Sequence, residues 1–288
     1  MRPELIEASE LLRRQTAESV EKAIELLQET VFSFSMKMCG HREDAEDTMQ
    51  EVLFGSLKYL VKLHDPGELA AWLYTVTRNR CRRMKRKHAN SDTLRVSIDE
   101  LMPDEEELRF LMQASRETPE HRYLRAEQQN LLHQAVLRLP ANLRLVLVLH
   151  DMEELSSEET AGILNLQAGT VRVRLHRARL ALRKEMTRVL RGLPEKSTAA
   201  GSGLAPRPRE CKALFASLSE YVDARMEPRS REQMSVHIAN CPACIAFLKD
   251  LREAIDRCRA FPALCDPQVA ARMRSMMTQE YLRLMQSH

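Results

Sequence analysis

Glycine is scarce in this chain, 8 of 288 residues, and aromatic side chains make up only 5%. Sheet-rich architectures draw on tight glycine turns and on alternating β-branched and aromatic residues, so their shortage argues against sheet. Long hydrophobic runs are missing too. The longest, "LRLVLVL" at 143–149, is far below the roughly 20 residues that span a bilayer. Charge of one sign is not in excess: the formal net charge is +3, which by itself gives no reason to invoke nucleic acid. Nor is there a signal-peptide pattern or an even, regularly spaced cysteine framework. The 7 cysteines are unevenly scattered, which points to thiols or metal ligands in a reducing compartment and to a cytoplasmic protein.

What the chain does have is leucine-rich and charged helical periodicity, with 30% Asp, Glu, Lys and Arg, so an all-α fold is expected. Apolar residues at Val20, Ala23, Ile24, Leu27, Val31, Phe34 and Met38 predict one helix. A second is predicted from about Glu43 to Leu63, with Ala45, Met49, Val52, Leu53 and Leu60 inward, ended by the turn in "HDPGE". The third, "LAAWLYTVTRNRCRRMKRKH", starts apolar and ends in Arg78, Arg80, Arg82, Arg83, Lys85, Arg86 and Lys87 without an intervening acid. Next comes an acidic, aperiodic stretch, including Asp99, Glu100 and Asp104 to Glu107, which reads as a linker that either solvates a tether or covers basic DNA surfaces. From Gln128 to Arg191 helical periodicity returns. Ser156 and Glu159 fit a capping box, "LQAG" supplies a Gly-containing turn, and a long basic helix starts near Thr170, which makes a helix-turn-helix. "LPEKSTAAGSGLAPRPRE" is a flexible linker, and the residues C-terminal to it form a separate module. The tail of that module, with Met273, Met276, Met277, Tyr281, Leu284 and Met285, predicts an amphipathic helix that packs on this protein or a partner.

In the long basic helix Val171, Leu175, Ala178 and Leu182 form an inward stripe, which leaves Arg172, Arg174, His176, Arg177 and Arg179 on faces that can meet DNA. Arginine can pair with guanine in the major groove, while other cations on the same helix position it on phosphates. The earlier basic edge adds Trp72, Tyr74 and Asn79, a composition suited to melted DNA, although the helical spacing of Trp72 with Leu69, Leu73 and Val76 places it in the core. Glu43, Asp44, Glu46, Asp47 and Glu51 crowd one helix start, either to complement the helix dipole or as a face for a basic protein partner.

Three stretches together, "DAEDTMQEVLFGSLKYL", "AAWLYTVTRNRCRRMKR" and "LPANLRLVLVLHDMEELSSEETAGILNLQAGTVRVRLHRARLAL", resemble the extracytoplasmic-function group of the sigma-70 family, over residues 16–191. The resemblance implies a subunit that directs core RNA polymerase to promoter DNA and has no catalysis of its own. It also implies roles. Asp44, Asp47, Gln50 and Glu51 would dock on the polymerase; the loop "KLHDPGEL" with Asn79, Arg80, Arg82 and Arg83 would handle the melted minus-ten element. Gly169, Thr170, Arg172, Val173, His176 and Arg177 would meet the minus-thirty-five element. The expected domains are 16–90 (sigma region 2), 91–125 (acidic linker), 126–192 (sigma region 4), 193–208 (flexible linker) and 209–288 (zinc module with its C-terminal helix).

That module carries "HIANCPAC". His237 and Cys241 lie four apart on one helix face, and Pro242 between Cys241 and Cys244 starts the next helix, so three soft ligands meet at a corner. A structural zinc site takes four. Cys258 is fourteen residues beyond Cys244 on a continuous helix, roughly 21 Å away, and cannot close the site; Cys211 can. The set Cys211, His237, Cys241 and Cys244 resembles the zinc-binding anti-sigma domain, which implies bound Zn2+ and an intramolecular contact with the sigma domains that regulates them. The zinc is either structural or, since oxidation removes thiolates, a sensor. Cys39, Cys81, Cys258 and Cys265 read as buried thiols. A zinc deaminase needs H-x-E and P-C-x-x-C, and here Ile-Ala follows the histidine. Two other readings stand beside the sigma factor: a helix-turn-helix repressor that acts without polymerase, and an interaction adaptor that recruits partners through the zinc module.

Overall fold

The computed structural model describes residues 2–63, 65–86, 101, 106–107, 125–190, 217–261 and 265–286. Every element among them is helical. In chain order they are α1 (Pro3–Arg14), α2 (Ala17–Cys39), α3 (Arg42–Leu60), α4 (Pro66–Arg86), α5 (Arg125–Arg138), α6 (Ala141–Leu147), a π turn (Val148–Met152), α7 (Ser157–Leu164), α8 (Ala168–Leu190), α9 (Leu218–Val222), α10 (Pro228–Asn240), α11 (Pro242–Arg259) and α12 (Pro267–Gln286). No helix among the described residues is long and apolar enough to cross a membrane. Most of both expected linkers, and Cys211, lie outside the described residues.

The chain divides into two compact units, Met1–Asp92 with Val148–Val171 and Phe261–His288, and Thr93–Leu147 with Arg172–Ala260. In the first, α2 is the central helix. Thr16 caps it through a reciprocal box with Ser19, and Gly40 ends it at φ 87, the left-handed backbone that glycine adopts without a Cβ clash. Val20, Ala23, Ile24, Leu27 and Phe34 are fully buried, against Ala45, Met49 and Leu53 of α3 and Leu69 and Leu73 of α4. Each such Val, Leu, Ile, Phe or Met side chain contributes about 1.5–3 kcal/mol. The second helix ends at Leu60, short of the expected Leu63. Two further helices pack on this core. α1, which the sequence pattern was not expected to supply, buries Leu5, Ala8 and Leu12 on α2 and α4. α12, the methionine helix, lies on α2 and α3 with Met273, Met277 and Tyr281 buried and Met276 52% exposed. Arg274 Nη1 meets Glu25 Oε1 at 2.6 Å, and Gln28 Nε2 donates to the Ala270 carbonyl at 3.2 Å. Cys39 and Cys81 are buried as expected, whereas Cys265, just ahead of α12, is half-buried.

Trp72 departs from its core expectation. It is half-buried and tilts against Tyr59, itself 46% exposed, with ring centroids 5.4 Å apart, while Tyr74 turns inward to an edge contact with Phe34. The Tyr74 hydroxyl is part of a buried charge cluster. Glu153, just after the π turn, accepts from Tyr74 Oη at 2.8 Å and Lys37 Nζ at 2.7 Å and pairs with Arg2 Nε at 3.1 Å; the side chains of Glu153 and Lys37 are both 0% exposed. A buried pair of this kind, once one partner is removed, costs about 3–5 kcal/mol because a charge is left without compensation. The π turn places the Glu153 N–H on the Val148 carbonyl, five residues back, at 2.9 Å.

In the second unit, α5 stops before Pro140, and Arg144 donates to the carbonyls of Leu137 and Leu139, which would otherwise lack partners at the helix end. Leu132, Val136, Leu143 and Leu147, Leu175, Ala178 and Leu182 of α8 and Phe247, Leu251, Ile255 and Cys258 of α11 are buried in this unit, where α11 packs on α5. Prolines open both α10 and α11, so Cys241 sits at their junction, the residue that ends one helix and precedes the next.

Glu154 has φ 56, a left-handed backbone that a residue with a Cβ occupies at a cost. Glu154→Gly is therefore expected to raise stability, by up to about 1 kcal/mol, as a higher melting midpoint in thermal denaturation followed by circular dichroism.

Candidate nucleic-acid interface and metal corner

The helix-turn-helix starts where the sequence places it. Ser156 Oγ accepts from the Glu159 N–H at 3.1 Å, and Glu159 Oε2 accepts from the Ser156 N–H at 2.7 Å, so two amides at the start of α7 are satisfied reciprocally. The turn itself is not made by glycine. Asn165, at φ 54, carries the left-handed conformation, and the Leu166 N–H returns to the Ala161 carbonyl at 2.9 Å. Gly169 lies inside the first turn of α8, where an added Cβ would meet nothing within 4 Å. Its bareness leaves the backbone of a helix N-terminus open to approach, beside half-exposed Thr170 and exposed Arg172.

Along α8 the inward stripe is as expected: Val171, Leu175, Ala178 and Leu182 are at most 1% exposed. The other faces are not uniformly open. Arg172 and Val173 face solvent and Arg174 and Arg177 are half-buried, but His176 and Arg179 are buried. His176 Nδ1 lies 3.0 Å from Ser219 Oγ, and the Arg179 guanidinium pairs bidentately with Asp223, at 3.0 and 2.8 Å. One turn on, Arg183 meets Glu107 Oε2 at 3.2 Å and Asp250 Oδ2 at 3.6 Å and stacks on the Phe247 ring at 4.6 Å. Burial raises the Asp250 carboxyl above its ordinary range, with Arg183 pulling the other way. Burial, then the Arg179 and Arg177 charges, push His176 down to about 4, so its ring is neutral here. Ser219 and Asp223 are not expected as site residues from the sequence; their spacing of four on "SEYVD" is the one available signal. Glu107 of the acidic linker pairs with Arg183 of α8; Asp99, Glu100, Asp104 and Glu105 lie outside the described residues.

The basic edge of α4 borders two shallow cavities. Val76, Asn79, Arg82 and Arg83 line one of about 410 Å³; Glu51, Gly55, Tyr59, Trp72 and Arg80 help line a second of about 400 Å³. Cations and a tilted aromatic pair thus share one groove, with Arg80 held to Glu51 at 2.6 Å. On α3, Asp47, Gln50 and Glu51 are exposed and Asp44 is half-buried.

At the junction of α10 and α11, His237, Cys241 and Cys244 bring their ligand atoms within 4.8 Å of one another, and Cys244 Sγ is 3.4 Å from His237 Nε2. Tetrahedral zinc with bonds of about 2.0–2.3 Å holds its ligands roughly 3.3–3.8 Å apart, so this corner fits after a small contraction. Cys258, buried further along α11, takes no part. The fourth expected ligand, Cys211, lies outside the described residues.

Three family models match the chain in order: "Sigma-70 region 2" over residues 23–91, "Sigma-70, region 4" over residues 129–182 and "Putative zinc-finger" over residues 211–244. Among curated relatives, the ECF RNA polymerase sigma factor SigW of Bacillus subtilis is 29% identical, covering 57% of this chain and 86% of its own. RNA polymerase sigma factor YlaC of the same organism is 28% identical over 59% of this chain and 94% of its own. The ECF RNA polymerase sigma factor SigE of Mycolicibacterium smegmatis is 31% identical over 53% and 56%. These similarities do not favour the adaptor or the lone repressor.

The depressed His176 value sets a pH dependence. The buried ring takes up a proton only near pH 4, whereas a released ring does so near 6.5, so the packing of α9 on α8 is at full strength above about pH 6.5. It weakens as pH falls from about 6.5 towards 4. Amide exchange of residues 218–222 is expected to accelerate over that window, after correction for intrinsic rates, and His176→Gln is expected to flatten the effect.

Proposed function

We infer that this chain, an extracytoplasmic-function sigma factor carrying sigma-70 regions 2 and 4 with a zinc-finger module after them, directs core RNA polymerase to promoters and is restrained by that module. Within this reading Asp44, Asp47, Gln50 and Glu51 of α3 dock on the polymerase. Asn79, Arg80, Arg82 and Arg83 of α4 handle the melted minus-ten DNA. Gly169, Thr170, Arg172, Val173, His176 and Arg177 of α8 read the minus-thirty-five element. Exposure of Asp47, Gln50 and Glu51, and the groove shared by cations and Tyr59 with Trp72, support the first two roles.

The single observation that carries the restraint is the capture of α8 by the module: Ser219 and Asp223 hold His176 and Arg179, two side chains of the helix that reads DNA. Asp223 offers Arg179 two acceptor oxygens side by side, the pattern a guanine edge or a phosphate presents. A tethered module needs little intrinsic affinity for such capture, because the chain itself keeps it at high local concentration. Zinc, bound by Cys211, His237, Cys241 and Cys244, supplies a cross-link that fixes the α10–α11 corner and so the shape of the module.

Asp223→Ala leaves Arg179 without its bidentate partner and is expected to raise promoter-specific transcription by the full chain with core polymerase roughly tenfold, as the loss of one buried charge-assisted pair favours release. Equal activity of Asp223→Ala and the parent chain would remove the restraint. For the metal, the purified chain is expected to carry one zinc per molecule by elemental analysis. Cys241→Ser with Cys244→Ser is expected to abolish it and to lower the melting midpoint of the module.

A further inference from the structure

The cluster around Glu153 is not accounted for by promoter recognition, polymerase docking or the zinc module. Its donors come from three places: Arg2 ahead of α1, Lys37 near the end of α2 and Tyr74 in the middle of α4. Both carboxylate oxygens are used, Oε1 by Lys37 and Oε2 by Tyr74 and Arg2. Arg2 also donates from Nη2 to the Met152 carbonyl at 2.7 Å, gripping the backbone beside the carboxylate. A second grip lies at the far end of α7, where Arg78 of α4 donates to the Ile163 carbonyl. The segment from the π turn to the end of α7 is thus held at both ends, by Arg2 ahead of α1 and by groups from α2 and α4.

Lys37 shows what this arrangement demands. It is 0% exposed on a helix whose other inward residues are largely apolar, and an ammonium in that position is tolerated only opposite an anion. Burial, then the Glu153 charge, keep the Tyr74 phenol well above its ordinary range, so the hydroxyl stays a donor. Arg2 precedes residue 23, where the region 2 match begins, whereas Lys37 and Tyr74 lie within that match and Glu153 within the region 4 match. None of the gripping groups belongs to residues 209–288.

We propose that Arg2, Lys37 and Tyr74 form an intramolecular docking pocket for the loop that leads into the helix-turn-helix, with Glu153 as its latch, so that sigma region 2 holds this loop without the zinc module. The partner surface is a carboxylate on a tight turn, and the receptor is a buried cationic and phenolic pocket. The proposal rests on the sigma-factor reading, in which regions 2 and 4 act on separate promoter elements and the loop must leave the pocket for both to engage. Release then has two independent steps, freeing α8 from Ser219 and Asp223, and freeing Glu153 from region 2.

The test is hydrogen–deuterium exchange on the full chain, with promoter-specific transcription measured in parallel. Glu153→Gln is expected to raise amide exchange in residues 148–155 about tenfold and to leave Ala23 to Val31 of α2 protected, while Glu158→Gln, an exposed loss of charge in the same segment, changes neither. Transcription is expected to rise severalfold, and further when Glu153→Gln is combined with Asp223→Ala. Unchanged exchange at 148–155 in Glu153→Gln overturns the latch. If Glu153→Gln loses protection throughout the first unit, Tyr74→Phe, which removes one hydroxyl, decides: a local rise at 148–155 supports the latch, and either no rise or a general one overturns it. Faster exchange without any transcription from any variant keeps the latch and overturns the sigma-factor reading instead.

Discussion

A charge removed from water must meet its opposite, and this requirement organises both compact units. Glu153 can be fully buried because Lys37, Tyr74 and Arg2 converge on it. Arg179 and Arg183 can be buried because Asp223, Glu107 and Asp250 do the same for them. Apolar packing alone would tolerate many relative placements of helices with leucine stripes, since it rewards area and not direction. The paired charges are directional, and an alternative packing that separates one pair leaves a buried ion uncompensated.

The same chemistry makes the arrangement reversible. On the proposed reading, arginines of α8 serve anionic oxygens of DNA, and a carboxylate from the same chain occupies them until DNA competes. Arg179 and His176 are held in this way, whereas Arg172 and Val173 on the next face are exposed.

Much of the fold was legible in the sequence. The periodicity at Val20 to Phe34 and the inward set Ala45 to Leu60 appear as helices with the expected buried faces, the stop at Pro140 and the box at Ser156 and Glu159 fall where expected, and of the methionine stripe Met273, Met277 and Tyr281 are buried. These are local signals, set by propensity, capping and a 3.6-residue period. Errors came where a residue's surroundings decide. Trp72 shares its spacing with core residues but is half-buried against exposed Tyr59, and the turn before α8 uses Asn165, which tolerates left-handed backbone, in place of the nearby Gly169. In α1 the buried residues Leu5, Ala8 and Leu12 recur with helical spacing, a signal too short to stand apart in the sequence.

By itself the sequence determined the all-helical character, the order of the sigma regions and zinc module, and the cysteine and histidine spacing at the metal corner, because each depends on residues near one another along the chain. Only the tertiary structure decided which charges are buried and with whom. Lys37 and Glu153 lie 116 residues apart, and Arg179 and Asp223 lie 44 apart. No periodicity links such pairs; the cost of leaving either charge alone in the interior does.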